Sequence, residues 1–223
     1  MPIRLLTLDE SAALLGLESK ELKALATSGE LPCIWQGTRM MFEYDELDTW
    51  YSSRLVRHLP IHYAEYAQPV PKEMRLADYC RLETMEPALS GKTKPAILRS
   101  LTQLAERSGL LYDPDEFLEN LRRREECSST AMAEGIALVH PKERDEFLCE
   151  GPFLAVGRSV VPVFFGEENG VPTDLFFLLC SADSEEHLHM LAKLCQVIAD
   201  GKILEALRTS ETPEEMLAVF QGL

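Results

Sequence analysis

Apolar positions recur at helical spacing near the start of the chain and are separated by turn-forming residues. A capping box at Thr7 and Glu10 begins the first predicted helix, because each side chain can satisfy a free backbone amide of the other. Gly16 is predicted to end this helix. A second helix is predicted from Ser19 to near Gly29. Two short helices joined by a glycine turn predict a helix-turn-helix.

Extended and helical patterns continue this unit before the periodicity fails. Two short strands are predicted at Cys33–Trp35 and Arg39–Phe42, and together they form a small hairpin or wing. A further amphipathic helix has apolar positions at Leu47, Trp50, Tyr51 and Leu55. Proline-bracketed residues 58–74 are predicted to be a linker.

Helical and extended patterns alternate in the remainder of the chain. Helices are predicted from Pro95 to Gly109, from Asp113, from Asp183 to about Ala199, and from Thr212; strands are predicted at Gly135–Val139, Phe153–Phe165 and Leu175–Cys180. This alternation predicts an α/β fold, with a C-terminal mixed β-sheet covered by helices on both faces. The N-terminal domain is predicted to be a small, mainly helical winged helix-turn-helix. The predicted domains are 1–57 and 75–223.

Composition narrows the class of protein. The 223 residues are 46% hydrophobic and carry a formal net charge of -15, which repels nucleic acid and membranes on average. No start resembling a signal peptide and no apolar run of bilayer length is seen, so a cytoplasmic protein without membrane insertion is expected. The six cysteines form no CxxC pair and no grouping at metal spacing. We therefore expect reduced thiols, no metal and no cofactor.

The five histidines are few enough to be considered individually. His140 lies where an apolar strand meets a charged loop, and this position predicts an exposed imidazole on a rigid element. His187 lies in the first turn of a helix, on the face that points toward the core. His189 points elsewhere, since residues two apart do not share a face, and this argues against a metal pair. His58, His62 and His189 are interpreted as linker or surface residues.

The run from Arg124 to His140 resembles the active-site signature of enzyme IIA of the sugar phosphotransferase system, in its mannitol/fructose type with the nitrogen-regulatory branch. The positions in register are Arg124, Glu125, Ser129, Thr130, Gly135, Ala137 and His140. His187–Leu194 matches the helix that bears the second histidine of the family. The resemblance covers about residues 75–223. It implies that His140 accepts a phosphoryl group from a phosphohistidine carrier such as HPr.

Each residue that this resemblance assigns to the site has a chemical reason to be there. A neutral imidazole nitrogen is a good nucleophile near pH 7. Arg124 offers a bidentate fork to phosphoryl oxygens, His187 can donate a hydrogen bond to them, and Thr130 adds a hydroxyl. One position departs from the family pattern: Val139 stands where a proline usually precedes the histidine. This departure leaves room for altered phosphotransfer.

The N-terminal segment resembles the excisionase/MerR-like helix-turn-helix family. The matching pieces are Thr7, Glu10, Ala13, Ser19, Ser28–Pro32 and Arg39–Phe42. Residues 1–57 hold six basic and nine acidic residues, a net charge of -3, whereas DNA readers usually present a basic stripe. Lys20, Lys23 and Arg39 are the candidate DNA contacts. The alternative is a domain that has lost DNA contact and binds protein.

Three functions from different classes remain open. The first is a regulatory phosphocarrier that is phosphorylated on His140 and coupled to transcription or to nitrogen or carbon regulation. The second is a sugar-specific enzyme IIA that passes phosphate to a IIB transporter subunit. The third is an interaction module whose phosphosite no longer works, as Val139 suggests. The chain acts as a phosphotransferase only if the site is intact.

Overall fold

The computed structural model describes residues 5–15, 17–44, 46–47, 50–51, 74–127, 129–142, 148–166, 170–181 and 184–223. The chain divides into two compact units, Met1–Val70 and Pro71–Leu223, each of which is described by itself. The predicted helix end at Gly16, the linker apart from its last residue, and the linker histidines His58 and His62 lie outside the described residues.

The N-terminal unit combines two helices with a three-stranded antiparallel sheet. Its elements are β1 (Leu5–Thr7), α1 (Leu8–Leu15), α2 (Ser19–Thr27), β2 (Ile34–Gln36) and β3 (Arg39–Glu43), and the sheet order is β1-β3-β2. The capping box is formed, with the Thr7 backbone N–H donating to Glu10 Oε2 over 2.8 Å. Leu15, Leu22 and Phe42 are fully buried and form part of this unit's core. The helix-turn-helix and the wing are present as predicted, and β1 adds a strand that the sequence pattern did not reveal.

The C-terminal unit alternates strands and helices. Its elements are a 3₁₀ turn (Leu76–Tyr79), β4 (Cys80–Leu89), α3 (Lys94–Glu106), α4 (Pro114–Cys127), a 3₁₀ turn (Ala133–Gly135), β5 (Ile136–Val139), β6 (Phe153–Val163), β7 (Thr173–Cys180), α5 (Ser184–Ile198), α6 (Gly201–Thr209) and α7 (Pro213–Gln221). The sheet order is β4-β6-β7-β5. Strand β4 is parallel to β6, and β5 is parallel to β7, whereas β6 and β7 are antiparallel.

The sheet is mixed and is flanked by helices, as the sequence predicted. On one face Phe176, Leu178 and Cys180 of β7 pack in a core cluster with apolar residues of α3 and α4. The alternate residues of β7, Leu175, Phe177 and Leu179, are equally buried. Contacts of α5 with β7 and of α7 with β4 accompany this burial of the second face. A continuous apolar strand is stable here because both of its faces are covered.

No described helix combines the length and the low polarity that crossing a bilayer requires.

Candidate functional site

The topology of the sheet brings two histidines to one edge. Because β5 and β7 run parallel, with Val139 opposite Leu178, both strands end at the same edge of the sheet. His140 directly follows β5, and α5 begins at Ser184, shortly after β7 ends. His187 therefore lies in the first turn of a helix at this edge. The centroids of the His140 and His187 rings are 5.3 Å apart, and the ring planes are inclined by 59°.

The imidazole of His140 is fixed by a hydrogen bond at each ring nitrogen. Its Nδ1 lies 2.9 Å from the carbonyl oxygen of Leu138. Because a carbonyl oxygen only accepts, Nδ1 carries the proton in this contact. Nε–H of Arg124 donates to Nε2 of His140 over 3.0 Å. The ring is thus the neutral tautomer, with the lone pair on Nε2.

The expected exposure of His140 is wrong. Its side chain is only 1% exposed, because the ring folds back onto the Leu138 carbonyl and packs beside His187 instead of projecting from the strand end. His187 is 0% exposed, as the apolar face of its helix predicted, and His189 on the same helix is half-buried. The site is therefore a buried one with two imidazoles in it.

Helix α4 delivers the guanidinium group. Asp113 caps this helix, with its Oδ1 accepting from the backbone N–H of Asp115 and Glu116 over 3.0 Å, as the cap-and-proline signal predicted. Phe117 and Leu121 bury one face of the helix in the core. Arg124 lies in the last turn and is 1% exposed. A cation so deeply buried requires compensating polar partners, and the Nε2 lone pair of His140 is one of them.

Glu125 organises the loop that follows α4, a role that the sequence pattern did not assign to it. Its carboxylate accepts from the Thr130 backbone N–H, from Thr130 Oγ1 over 2.7 Å and from Ser129 Oγ over 2.9 Å. Lys94 Nζ forms an ion pair with Glu125 Oε1 at 3.1 Å. A signal was present, since Glu125 and Ser129 belong to the same motif as Arg124 and Thr130.

The Thr130 hydroxyl, which was expected to contact a phosphoryl group, is engaged elsewhere in the structure. Thr130 has one hydroxyl proton, which it donates to Glu125. This hydroxyl therefore does not offer a hydrogen bond to a phosphoryl group in the same geometry. The Thr130 carbonyl accepts from the Leu138 backbone N–H over 3.0 Å. Thr130 thus links the Glu125 loop to the strand that presents His140.

A second cluster fixes the entry to β5. Glu134 and Gly135 both have positive φ, 60° and 75°, so the chain turns sharply before the strand. Arg208 of α6 forms a two-pronged ion pair with Asp174 and also donates to the Glu134 carbonyl. The fork geometry of a guanidinium suits this arrangement. The pair raises the pKa of Arg208 further above its ordinary value, chiefly through the hydrogen bond to Asp174.

The start of α5 is held by Glu186, the neighbour of His187. Ser181 Oγ donates to Glu186 Oε2 over 2.7 Å, and Tyr79 Oη donates to Oε1 over 3.4 Å. Burial, followed by the charge of Glu186, raises the pKa of Tyr79 above its usual value, so the phenol remains a donor at neutral pH. The first turn that carries His187 is therefore tied to β7 and to the 3₁₀ turn before β4.

The remaining predicted contacts lie in the N-terminal unit. Lys20 and Lys23 are exposed on α2, three residues apart and so on one face, and Arg39 is exposed at the start of β3. Among the residues that the structure describes, no three His, Cys, Asp or Glu side chains are grouped so that they could share a metal ion.

Comparison with protein families identifies the C-terminal unit. The family described as "Phosphoenolpyruvate-dependent sugar phosphotransferase system, EIIA 2" matches residues 79–222, which is more than half of the chain. The chain belongs to this family. The EIIA 2 match is preceded by a match of residues 5–55 to a helix-turn-helix domain family.

Relatives of the EIIA 2 domain include both regulatory and sugar-specific proteins. A nitrogen regulatory protein of Pseudomonas aeruginosa is 30% identical over 131 residues, which cover 58% of this chain and 83% of that protein. The fructose-specific EIIABC component of Bacillus subtilis is 24% identical over 149 residues, which cover 66% of this chain and 23% of that protein.

Solved structures agree with the sequence relatives. The crystal structure of the nitrogen regulatory protein IIA-Ntr from Neisseria meningitidis superposes with a TM-score of 0.58 and 27% identity, over 65% of this chain and 97% of that chain. The mannitol IIA of Escherichia coli superposes with a TM-score of 0.56 at 20% identity, over 63% of this chain and 98% of that one, and shows the shared fold alone. Membership of the EIIA 2 family supports a phosphocarrier role.

Proposed function

We propose that this EIIA 2 protein is a cytoplasmic regulatory phosphocarrier that accepts a phosphoryl group on Nε2 of His140 from an HPr-type carrier. The observation that carries the proposal is the pair of hydrogen bonds on His140, from Arg124 to Nε2 and from Nδ1 to the Leu138 carbonyl. They leave a neutral imidazole whose lone pair points at a cation. The family relatives named nitrogen regulatory protein favour the regulatory class.

Phosphoryl transfer to Nε2 requires one hydrogen bond to change partners. The Nε2 lone pair attacks phosphorus as the bond to the donor's histidine nitrogen breaks, and that nitrogen regains its electron pair. Once Nε2 is bonded to phosphorus it no longer accepts from Arg124. The guanidinium then donates to phosphoryl oxygens, whose negative charge it stabilises in the transition state and in the product.

The second imidazole and the low exposure of the site serve the same step. With its ring centroid 5.3 Å from that of His140, His187 is close enough to donate a hydrogen bond to an oxygen of a phosphoryl group held on Nε2. Both rings are shielded from solvent. Exclusion of water strengthens these electrostatic contacts and protects a reactive phosphoramidate from hydrolysis.

Val139, in the place of the usual family proline, does not prevent this arrangement. Val139 is buried and paired with Leu178 in the sheet, and the next residue, His140, has both ring nitrogens in hydrogen bonds. The strand end therefore holds the imidazole without a proline at this position. This supports a working phosphosite over a module that has lost phosphorylation.

Reconstituted phosphotransfer tests the proposal. The full chain is incubated with phosphoenolpyruvate, enzyme I and HPr, and the phosphorylated peptide is located by mass spectrometry under alkaline conditions that preserve phosphohistidine. We expect one phosphoryl group per chain, on His140, and none when HPr is omitted. Label on another residue, or none after prolonged incubation, contradicts the proposal. Rapid onward transfer to a fructose-type IIB domain would instead favour the sugar-specific alternative.

For the N-terminal unit we propose DNA as the partner, contacted through the exposed face of α2 and by the wing. Lys20 and Lys23 lie on one exposed face of α2, and Arg39 is exposed on the wing. Exposed Glu18 and Glu21 flank the two lysines, so the expected affinity is modest and strongly dependent on salt. A helix-turn-helix attached to a phosphorylated domain makes transcription the expected output.

Replacing Lys20 and Lys23 together by alanine is expected to weaken DNA binding most at low salt and progressively less as the salt concentration rises. Removing one lysine–phosphate interaction makes the slope of log affinity against log salt shallower by about 0.9. The slope should therefore become shallower by about 1.8 when both lysines are replaced. Fluorescence anisotropy with duplex DNA from the protein's own promoter region measures this. The double variant Lys92→Ala/Lys202→Ala, which removes two exposed lysines of the C-terminal unit, keeps the net charge matched. An unchanged slope in the Lys20/Lys23 variant contradicts the assignment.

A further inference from the structure

Two thiols lie against each other at the edge of the sheet that carries the histidines. Sγ of Cys149 is 3.3 Å from Sγ of Cys180, and neither residue is in a disulfide. Cys149 is 2% exposed and Cys180 is 0% exposed. The phosphocarrier mechanism proposed above uses neither of them.

The two cysteines lie between the two histidines in the sequence, and the fold brings them to the same edge of the sheet. Strands β6 and β7 are antiparallel with Phe153 opposite Cys180, so the chain entering β6 lies at the edge where β7 ends. Cys149 follows His140 by nine residues, and Cys180 precedes His187 by seven. A bridge between Leu111 and Cys149 and the hydrogen bond from the Glu150 N–H to the Leu110 carbonyl hold the Cys149 backbone in place.

The surroundings of Cys149 favour its thiolate. A hydrogen bond from Cys180, and then one from the Gly151 backbone N–H, lower the pKa of Cys149 below its ordinary value, against the opposing effects of burial and of Glu186. Burial instead raises the pKa of both Cys80 and Cys195 to about 12. Because the thiolate is the reactive form of cysteine, we expect Cys149 to be more reactive than Cys80 and Cys195.

We propose that Cys149 and Cys180 form a peroxide-sensitive dithiol whose conversion to a disulfide slows phosphorylation of His140. A disulfide needs a sulfur–sulfur distance of about 2.0 Å, so the two sulfur atoms must approach by only about 1.3 Å. A peroxide is small enough to reach buried thiols that a protein oxidant cannot contact. Disulfides in reducing compartments are usually transient and redox-sensing. We therefore assign the Cys149–Cys180 bond to the redox-sensing class.

The chemistry balances with one peroxide molecule. The Cys149 thiolate attacks a peroxide oxygen, the oxygen–oxygen bond breaks, and the departing hydroxide takes up a proton to leave as water, giving a sulfenic acid. The Cys180 sulfur then attacks the Cys149 sulfur, the sulfur–oxygen bond breaks, and the second hydroxide leaves as water with the Cys180 proton. Two thiols lose two electrons, which the peroxide gains. A dithiol reductant reverses the bond by exchange.

The link to phosphorylation rests on the proposed function of His140. Cys180 is the last residue of β7, and Leu178 of the same strand end is paired with Val139, the residue before His140. The disulfide would join the chain that follows His140 to the end of the strand that precedes His187. By shifting the end of β7, it would displace the His140 ring from the position in which Arg124 contacts Nε2.

The test begins with the full chain, reduced, desalted and treated with hydrogen peroxide. The expected product is about 2 Da lighter, because two hydrogen atoms leave. After denaturation its alkylation count should fall from six thiols to four, and a linked peptide should contain Cys149 and Cys180. Dithiothreitol should restore six. A peroxide-treated chain with no such linked peptide, or with a link between other cysteines, overturns the proposal, and this mapping requires no variant.

Phosphorylation by HPr is then compared in the oxidised and re-reduced chain. We expect the initial rate to fall at least about 5-fold on oxidation and to recover on reduction, in the wild type and in the matched Cys195→Ala control. The Cys149→Ala variant should keep its rate in peroxide. A cross-linked chain that is labelled at the full rate overturns the inhibitory effect. Failure of the reduced wild type to be labelled would refute the proposed function. The mass spectrometric mapping would still show whether the disulfide forms.

Discussion

A His140→Gln variant is expected to accept no phosphoryl group from HPr, a loss of at least about 10³-fold against the wild-type rate. Glutamine lacks a nucleophilic nitrogen, yet its amide has an acceptor for the Nε–H of Arg124 and a donor for the Leu138 carbonyl. The buried contacts of the imidazole are therefore partly retained. Initial rates of transfer from phosphorylated HPr measure the effect, and circular dichroism confirms folding.

The choice of glutamine separates chemistry from stability. His140→Ala would leave a buried guanidinium without one of its acceptors. Such a loss lowers the free energy of unfolding by about 1–3 kcal/mol for a neutral group, and by more for a charged one. An alanine variant that takes up no label would then not distinguish a missing nucleophile from an unfolded domain. His189→Gln is the matched control, because this half-buried histidine lies on another face of α5 from His187. Normal labelling of His140→Gln would exclude His140 as the acceptor.

The elements of this fold that have strong local signals were predictable from the sequence. Asp113, Pro114 and Glu116 specify the start of α4, and the structure shows Asp113 capping it. The continuous apolar run of β7 predicted a strand covered on both faces, and its residues from Leu175 to Cys180 are fully buried. In both cases the residues that determine the element are adjacent in sequence, so the element can be predicted without knowledge of its tertiary contacts.

Elements with weaker local signals were missed for identifiable reasons. Strand β4 is at the edge of the sheet, contains Pro87, and changes register against β6 twice, so its residues do not alternate regularly. Strand β1 has only three residues, too few to display a period. Helix α6 begins at Gly201, directly after Asp200 caps it, whereas the sequence pattern predicts the end of the preceding helix at about Ala199 and no helix before Thr212.

Motif spacing predicted which site residues to consider, but not how they are arranged. Arg124, His140 and His187 are distant in sequence, and the parallel pairing of β5 with β7 brings the two imidazoles together. The burial of His140 depends on its ring turning back to the Leu138 carbonyl, a rotamer choice that no spacing encodes. The role of Glu125 in the loop likewise depends on three donors from residues 129 and 130 converging on one carboxylate.

An Arg124→Lys variant is expected to be phosphorylated about 10²–10³-fold more slowly than the wild type. Lysine keeps the positive charge but has no planar fork, so it cannot donate two parallel hydrogen bonds to two phosphoryl oxygens. Its ammonium group also cannot reproduce the approach of Nε–H to Nε2 of His140. Transfer from phosphorylated HPr measures the rate. Arg122→Lys is the matched control, because Arg122 is a partly exposed arginine of the same helix that is paired with Glu119.

The same variant distinguishes two roles for the guanidinium. If Arg124 only fixes the imidazole, its replacement should change the affinity for HPr and the stability of the domain, and the rate at saturating HPr should be almost unchanged. If Arg124 stabilises the transferring group, the rate at saturation falls, because the lost interaction is made in the transition state. The geometry favours the second outcome, since forming the bond to phosphorus removes the Nε2 lone pair that Arg124 contacts in the resting state. A saturating rate within about 3-fold of the wild type would limit Arg124 to positioning the imidazole.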